Sequence, residues 1–484
     1  MTTGNTRRLQ HFIHNEWRGT QAEQWIDDLN PSDVRDVIAL VPVGSADDAN
    51  AASAAAATAL PGWRALSGPA RAEHLYRWAG VIDARAEELA QVMAREVGKP
   101  IGEARGEVGR CVVILRYYAG EAVREIGQVI PAQIAGALQF SLREPLGVVA
   151  MITPWNFPLA IPLWKIAPAL AFGNTVVLKP AESASYLAVL LAETALAAGI
   201  PAGVLNVLLG AGTTVGAALL EAPEVRAVSF TGSGAVGARV ATSAAARNIR
   251  YQTEMGGKNV VIVMPDADIA KAASLTAAGA MRYAGQKCTA TSRVIVASDV
   301  EEEFMRQLRT QIESLPIGPV TDVRSAVGPL ISRASHDAIT KALADANAES
   351  LFTSPVPGSA DFSNGNFFAP TVVRGGDPDG ILAQRELFGP VLAAFSAEDL
   401  DHAIDIANHT SYGLSASLFT TDLRAALNYI NRIHVGLVRV NGDTTGVDPH
   451  APFGGTKGSS SGSREQGPAA REFYTEIKTV QINP

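Results

Sequence analysis

Short runs of β-branched and aliphatic residues alternate with helix-like segments from residue 146 onward. Each run ends in a polar or glycine-containing turn, and a helical segment follows it. The runs lack strict polar alternation, so both faces of the strands are expected to be buried under helices, as in a parallel sheet. The predicted strands are 148–152, 175–178, 204–208, 227–230 and 260–263.

This rhythm predicts an α/β protein with a doubly wound parallel sheet, in which ligands bind beyond the carboxyl ends of the strands. Residues 269–452 repeat the alternation and predict a second α/β domain. Residues 126–143 and 473–482 differ from both, because their alternating side chains predict an extended arm and an extended tail.

Three helices are predicted before the arm. Ser45 is a suitable N-cap for an alanine-rich helix that should end near Pro61. Further helices are expected over 69–98 and 102–120.

Length and charge narrow the class of protein. A chain of 484 residues exceeds what one core organises, so two or three domains with a cleft between them are expected. A net charge of −8 opposes the phosphate neutralisation that nucleic-acid binding needs. The most apolar region, 146–178, is interrupted by prolines and Lys165 and is interpreted as core, not as a membrane span.

The compartment follows from the termini and the cysteines. Residues 1–13 carry two arginines without a following apolar stretch, so no leader is predicted and a cytoplasmic location is expected. Two cysteines, Cys111 and Cys288, are too few for a disulfide framework and fit a reducing compartment. No metal site is expected.

Several glycine-rich turns are candidates for a dinucleotide site. Residues 210–216 (GAGTTVG) have one residue too many for the usual dinucleotide-binding glycine fingerprint. A plain turn before a helix is the alternative explanation. Residues 230–237 (FTGSGAVG) open a helix whose free N–H groups suit a pyrophosphate, although a tight turn is an equal explanation. Lys179 and Glu182 end the second strand, where an acid can accept hydrogen bonds from ribose hydroxyls.

Three polar residues are candidates for chemistry, and each has an ordinary alternative. Cys288 follows Lys287, which is expected to help lower the thiol pKa, but an isolated cysteine is more often a buried apolar residue. Glu254 precedes two glycines and is otherwise an exposed salt-bridging acid. Asn156 is either an amide donor for an oxyanion or part of an Asx turn. Cys111, followed by aliphatic residues, fits the core.

Taken together, these motifs resemble the aldehyde dehydrogenase superfamily along nearly the whole chain. The matching segments, in family order, are PWNFP (154–158), KPAE (179–182), FTGS (230–233), EMGGK (254–258), GQKC (285–288), ELFGP (386–390) and PFGG (452–455).

The resemblance implies catalytic roles. Cys288 would attack the aldehyde, the Asn156 amide and the Cys288 backbone N–H would hold the oxyanion, and Glu254 would activate the water that releases the acid. Lys179 is included with these catalytic residues as well as with the cofactor residues. Members that transfer the acyl group to coenzyme A generally lack an acid at the Glu254 position, so hydrolysis is expected.

The resemblance also implies NAD as the cofactor, with NADP as the alternative. Glu182 would repel a 2′-phosphate, whereas Lys179 leaves the preference open. Glu386 and Phe388 would hold the nicotinamide half. The expected cofactor residues are Thr153, Trp155, Lys179, Glu182, Gly212, Gly216, Thr231, Gly232, Ser233, Met255, Glu386 and Phe388.

For the substrate, the resemblance is to bacterial 2-oxoglutarate semialdehyde (2,5-dioxopentanoate) dehydrogenases. Arg282 is a candidate partner for a substrate carboxylate, although a surface arginine is an equal explanation. The expected aldehyde-tunnel residues are Phe157, Trp164, Arg282, Lys287, Val447 and Phe453.

The domain assignment follows from the same resemblance. Residues 1–122 and 145–256 would form the NAD-binding domain, and residues 257–455 the catalytic domain. Residues 123–144 and 456–484 would form an oligomerisation arm and the C-terminal tail, joining subunits into a homodimer or homotetramer. A non-enzymatic protein on this fold and a thiol esterase are the competing hypotheses.

Overall fold

The computed structural model describes residues 7–20, 24–358 and 362–484. Within them, the strands predicted near residue 146 form the centre of an eight-stranded sheet, called the first sheet. Its five central strands are parallel, and antiparallel strands lie at both edges. In spatial order the strands are Ser460–Gly462, Arg250–Glu254, Val225–Thr231, Val148–Ile152, Thr175–Lys179, Leu205–Val207, His11–Ile13 and Glu16–Arg18.

Two strands need correction against the sequence prediction. Val260–Val263 belongs to the second sheet, and Arg250–Glu254, which was not predicted, is the outermost parallel strand of the first. The sequence Arg-Tyr-Gln-Thr-Glu lacks the apolar run that identifies a buried strand. Its polar residues Gln252, Thr253 and Glu254 are nevertheless buried, because the C-terminal strand Ser460–Gly462 covers the edge.

Both faces of the first sheet are covered by helices, as predicted. Val149 and Met151 pack into one core, and their neighbours Val148 and Ala150 pack into another, because successive side chains of a strand point to opposite faces. The helices contributing to the larger core are Gly68–Ala84, Ala86–Val97, Ile101–Glu121, Ala160–Ala171 and Ser185–Ala197. Those on the other face are Ala46–Ala65, Ala217–Glu221 and Gly234–Ala246.

A second sheet of seven strands lies within the described residues and has its own core. All its pairings are parallel except that of the edge strand Ser350–Thr353. In order its strands are Ser350–Thr353, Thr371–Arg374, Val391–Ala397, Arg293–Ala297, Val260–Val263, Ser415–Phe419 and Leu437–Val440. Its helices are Ile269–Met281, Glu301–Glu313, Arg333–Asp345, Ile381–Gln384, Leu400–Asn408 and Leu423–Arg432. The α/β architecture predicted from the sequence is confirmed.

The predicted arm is a small antiparallel sheet of Val129–Ile130, Leu138–Pro145 and Thr475–Ile482. Of the range 456–484, the strand Ser460–Gly462 pairs with Arg250–Glu254 in the first sheet, and the helix Ala469–Tyr474 leads into the arm strand. Two further small sheets pair Arg7–Arg8, Val37–Pro42 and Trp25–Leu29, and Tyr412–Gly413 with Thr456–Lys457.

The predicted helices differ in their ends. The first runs over Ala46–Ala65 and continues past Pro61, because buried Trp63 packs into the core and donates from Nε1 to the Leu170 carbonyl at 3.0 Å. The helix expected over 69–98 is divided at Arg85 into Gly68–Ala84 and Ala86–Val97.

The first sheet directs its loops toward the second. The segments after Val148–Ile152, Thr175–Lys179 and Val225–Thr231 leave from the same end of the sheet, because these parallel strands end together.

Within the described residues, no helix combines the length and apolarity needed to cross a bilayer. Residues 1–6 of the segment considered for a leader lie outside the described residues.

Candidate active site

A strained turn positions Cys288. The helix Ile269–Met281 ends in the turn Arg282–Gly285, where Tyr283 and Ala284 have left-handed φ values of 55° and 51°. Residues other than glycine rarely adopt this backbone conformation, which costs on the order of 1–3 kcal/mol for each residue. The turn is held by burial of Tyr283 and by its N–H, which donates to the Ala326 carbonyl at 3.0 Å. The cysteine three residues later faces a cavity.

That cavity, of about 300 Å³, lies between the two sheets and contains Cys288 in its wall. It brings together nine residues predicted from the sequence, on segments far apart in the chain. Pro154, Gly256 and Ser335 line it as well and were not predicted. The predicted lining residues are Trp155, Asn156, Thr231, Gly232, Ser233, Met255, Cys288, Glu386 and Phe388.

Asn156 connects the two halves of the site. Its side-chain Nδ2 donates to the Gln286 carbonyl at 3.1 Å, and its Oδ1 is buried without a partner among the described residues. The bond reaches across the site and is not the local Asx turn considered above. It therefore fixes the amide beside the segment that carries Cys288.

Sequence reasoning missed the residues that hold Asn156 and Gln286. Lys99, fully buried, donates to the Asn156 carbonyl at 2.7 Å and pairs with buried Glu107. Gln286 donates from Nε2 to the Pro329 carbonyl at 3.0 Å. Gln286 stood in the GQKC motif, but nothing in the sequence marked Lys99 or Glu107.

Glu254 is buried, with 2% of its surface exposed, which excludes the exposed salt-bridging acid. Ser460 donates to its Oε2 at 2.7 Å, whereas its Oε1 has no partner among the described residues. Glu254 is not among the residues that line the cavity. It lies close enough to Cys288 for its charge to contribute to the raised thiol pKa.

Burial raises the pKa of Glu254 well above its ordinary value, and the charge of Glu465 raises it further. The Ser460 hydrogen bond opposes this shift by stabilising the carboxylate. Glu465 itself pairs with Lys165, and both side chains are almost completely buried. Neither residue was predicted as part of the site.

The expectation that Lys287 lowers the pKa of Cys288 is wrong for this structure. Lys287 forms an ion pair with Glu103 at 2.7 Å instead. Burial raises the pKa of Cys288 to about 12, with further contributions from the charges of Glu386 and Glu254. The thiol is therefore neutral near pH 7, and a positive charge bound beside it would favour the thiolate.

Gly256 and Glu386 make the closest approach in the site. A Cβ added to Gly256 would lie 1.8 Å from Glu386 Oε2, and Glu386 accepts from the Gly257 N–H at 3.0 Å. Burial raises the pKa of Glu386 to about 7. Beside this contact, the rings of Trp155 and Phe388 meet edge to face at 5.7 Å.

A second group of predicted residues lies apart from the sulfur. Lys179 Nζ pairs with Glu182 at 3.0 Å, and Glu182 also accepts from the Gly212 N–H at 2.8 Å. Thr153 lies beside them and donates its N–H to the Lys179 carbonyl at 3.1 Å. Lys179, grouped with both catalytic and cofactor residues, does not line the Cys288 cavity.

This group and the helix beginning at Gly234 are suited to a dinucleotide. Ser233 lines the cavity and precedes that helix without capping it through its side chain. The first N–H groups of a helix have no partner within the helix, so this helix start can bind an anion. Gly212–Gly216 forms a wide helical turn that leads into Ala217–Glu221. An acid, a lysine and a free helix N-terminus are the chemistry that ribose hydroxyls and a pyrophosphate require.

The three aromatic tunnel candidates are held by two ring contacts. Trp164 and Phe453 are buried, with ring centroids 5.6 Å apart. The Phe157 ring lies 3.9 Å from Lys99 Nζ, in a cation–π contact. The Trp164 Nε1 donor has no hydrogen-bond partner in the described part of the chain.

The polar tunnel candidates lie in different surroundings. Arg282 is exposed and its side chain forms no hydrogen bond or ion pair with any described residue, although its charge acts on Glu103. Val447 lies in a loop, and its carbonyl accepts from the Arg110 guanidinium. Arg110 was not predicted.

The cavity holds a cysteine and an amide, a buried acid lies near it, and a doubly wound sheet stands beside it. This combination defines a class of enzymes that use a thiol nucleophile and a bound dinucleotide. The model of the aldehyde dehydrogenase family matches residues 17–480. The chain belongs to this family.

Two curated relatives cover nearly the whole chain. An alpha-ketoglutaric semialdehyde dehydrogenase of Bacillus subtilis is 43% identical over 477 residues, which are 98% of each chain. An alpha-ketoglutarate semialdehyde dehydrogenase of Haloferax volcanii is 40% identical over 97% of this chain and 98% of that protein. The predicted resemblance to this group is confirmed.

The fold is also found among solved structures. The crystal structure of an NAD-dependent aldehyde dehydrogenase from Sinorhizobium meliloti has a TM-score of 0.95 and 37% identity, covering 99% of this chain and 95% of that one. This chain is an NAD(P)-dependent enzyme that oxidises aldehydes, and the non-enzymatic and esterase hypotheses are not favoured.

The close approach at Gly256 generates a prediction. Gly256→Ala should weaken NAD⁺ binding by about tenfold or more, because the new methyl group must displace the Glu386 carboxyl group. Titration of protein fluorescence with NAD⁺ measures the change. Gly80→Ala is the control, since a Cβ there meets no atom within 4 Å. Unchanged NAD⁺ affinity in Gly256→Ala would contradict the assignment of Glu386 to the cofactor site.

Proposed function

We propose that this chain oxidises a carboxylate-bearing semialdehyde of the 2-oxoglutarate semialdehyde type to its acid with NAD⁺. The observation that carries the proposal is the shared cavity of Cys288 and Asn156, with buried Glu254 close by. The substrate class is supported by the B. subtilis and H. volcanii relatives, whose names specify that semialdehyde.

The first step uses the sulfur and two N–H donors. The Cys288 thiolate attacks the aldehyde carbon, and the carbonyl oxygen becomes an oxyanion. The Asn156 Nδ2 group and the Cys288 backbone N–H stabilise it, since that N–H donates no hydrogen bond to another described residue. The product is a thiohemiacetal on Cys288.

The second step uses Glu254. When bound, NAD(P)⁺ supplies the hydride acceptor that converts the thiohemiacetal to a thioester. Deprotonated Glu254 takes a proton from water, the hydroxide attacks the thioester carbon, and the acid leaves as the Cys288 thiolate is regenerated. Burial favours this role, because a carboxyl group with a raised pKa is a stronger base once ionised.

The cofactor residues fit NAD⁺. Lys179 and Glu182 would bind the adenosine ribose, and Glu182, near the Gly212 N–H, would repel a 2′-phosphate. The helix start at Gly234 would receive the pyrophosphate. Glu386 and Phe388 would hold the nicotinamide half in the cavity beside Cys288. The remaining predicted cofactor residues would line the groove between these points.

The domains and the assembly are part of the proposal. We assign residues 1–122 and 145–256 to cofactor binding and 257–455 to catalysis. Residues 123–144 and 456–484 are assigned to an oligomerisation arm and the C-terminal tail, which join subunits in the cytoplasm. Val129 and Ile477 on the arm are 79% and 62% exposed, which indicates a surface that a second copy covers. A homodimer or homotetramer is therefore proposed.

An aldehyde panel tests the function. The wild-type chain should oxidise 2,5-dioxopentanoate more efficiently than pentanal or benzaldehyde, and faster with NAD⁺ than with NADP⁺, measured as NAD(P)H absorbance.

Cys288→Ser should abolish turnover while NAD⁺ binding survives. Cys111→Ser, at a buried position outside the site, is the matched control. Turnover retained in Cys288→Ser would refute the nucleophile.

The environment of Glu254 generates a pH prediction. Deacylation should increase as pH rises through the raised Glu254 pKa, because only the carboxylate is a base. Ser460→Ala removes the hydrogen bond that lowers this pKa, so the rising limb should move roughly half to one pH unit higher.

Two variants complete that experiment. Ser461→Ala changes the neighbouring residue on the same strand and should leave the limb in place. Glu254→Gln should accumulate the thioester and lose the limb altogether. A pH–kcat profile that is identical in the wild type and Glu254→Gln would exclude Glu254 as the base.

The exposed arm generates a test of assembly. Val129→Asp together with Ile477→Asp should shift the wild-type dimer or tetramer toward smaller species, because charges would enter a buried apolar contact. Light scattering after size-exclusion chromatography measures the mass. Val323→Asp, equally exposed at 67% but away from the arm, should not change it. A monomeric wild type would refute the proposed assembly.

A further inference from the structure

The helix Ile101–Glu121 directs one face toward the active site. Glu107 on this face accepts the N–H groups of Leu159 and Ala160 at 3.0 and 2.9 Å. Its partner Lys99 donates to the Asn156 carbonyl. Arg110 lies three residues after Glu107, so it shares the same face of the helix. The guanidinium is therefore one turn away from the contacts that hold Asn156.

Arg110 crosses from this helix to the loop that contains Val447. Its Nη2 donates to the Val447 carbonyl, and its Nε is buried without a hydrogen-bond partner in the described ranges. Its charge interacts with the Cys288 thiol and with Asp448, which places the guanidinium within electrostatic range of the sulfur. Arg110 thus contacts the Val447 loop at a point within electrostatic range of Cys288.

This cation lacks the usual compensation for burial. Among the described residues no carboxylate lies within ion-pair distance of Arg110, because the adjacent Glu107 is bound to Lys99 and to two backbone N–H groups. Burial lowers the Arg110 pKa, which shows that its charge is poorly solvated. A partly buried, unpaired guanidinium with a free N–H is a site for an anion.

The other cations near the site are less suitable. Lys287 is already paired with Glu103. Arg464 donates to the Gly455 carbonyl and its charge acts on Glu254, so it belongs to the acid's surroundings. Arg282, the candidate from the sequence, is exposed. Burial would make a carboxylate contact with Arg110 stronger than one with Arg282, since solvent screens the latter.

We propose that Arg110 is a specificity-determining residue that binds the distal carboxylate of the aldehyde substrate while Cys288 engages its carbonyl carbon. The inference rests on the proposed function and assigns its substrate preference to one residue. The Val447 contact holds the guanidinium in place through Nη2, and the N–H groups not used in that contact are the donors for the carboxylate. Aldehydes without a carboxylate would leave this buried charge unpaired.

A matched pair of aldehydes tests the inference. Arg110→Gln should lower kcat/KM for 5-oxopentanoate by roughly 10- to 100-fold, mainly through KM, because a charge-assisted bidentate bond is lost. The kcat/KM for pentanal, which has the same chain length but no carboxylate, should change by less than about threefold. Arg110→Lys should recover part of the preference, since it keeps the charge without the bidentate geometry.

Arg116→Gln, at an exposed arginine of the same helix, is the control and should leave both aldehydes unaffected. Equal losses of both aldehydes in Arg110→Gln would show a structural role and overturn the inference, as would loss of the carboxylate preference in Arg282→Ala instead.

Binding of glutarate, a non-reactive dicarboxylate, separates this inference from the proposed function. Calorimetry should show weaker glutarate binding to Arg110→Gln than to the wild type, with or without turnover. A wild type that oxidises neither aldehyde contradicts the proposed function. Equal glutarate affinity of the two proteins overturns the role of Arg110 alone.

Discussion

The hydrogen bond from the Asn156 amide to the Gln286 carbonyl, 3.1 Å long, is the contact on which the site depends. It joins the loop that follows the strand Val148–Ile152 of the first sheet to the segment that carries Cys288. Buried groups hold both ends, since Lys99 binds the Asn156 carbonyl and Gln286 is held through its own side chain. A buried polar group that loses its partner costs about 1–3 kcal/mol, so this network favours one arrangement of the two sheets.

Burial also controls the reactivity of the site. Burial raises the pKa values of Cys288 and Glu254, and the charges of Glu386 and Glu254 raise the pKa of the thiol further. In the free chain burial therefore favours the neutral form of each group, and the Cys288 thiol is neutral near pH 7. Reaction requires the charged forms, so bound ligands must supply the electrostatic compensation that the protein alone does not provide. Reactivity is thereby coupled to occupancy of the cavity.

The helix Ile101–Glu121 serves the site at several points along one face. Glu103 pairs with Lys287 beside the nucleophile, Glu107 supports the Asn156 loop, and Arg110 reaches the Val447 loop. Spacings of three and four residues bring these side chains to the same side of the helix. The helix belongs to the first-sheet core, yet its polar face contributes to the chemistry on the second-sheet side.

The sequence by itself determined the family, the two alternations of strands and helices, and most residues of the cavity, because strand ends and glycine turns are local patterns. It did not identify the strand Arg250–Glu254, whose polar residues are covered at the sheet edge by the distant strand Ser460–Gly462. Tertiary structure alone revealed the roles of Lys99, Glu107 and Arg110, which in the sequence resemble ordinary surface charges. It also showed that Lys287 pairs with Glu103, whereas burial and acidic neighbours raise the pKa of Cys288. Burial and pairing depend on distant segments meeting in space, and no local pattern records them.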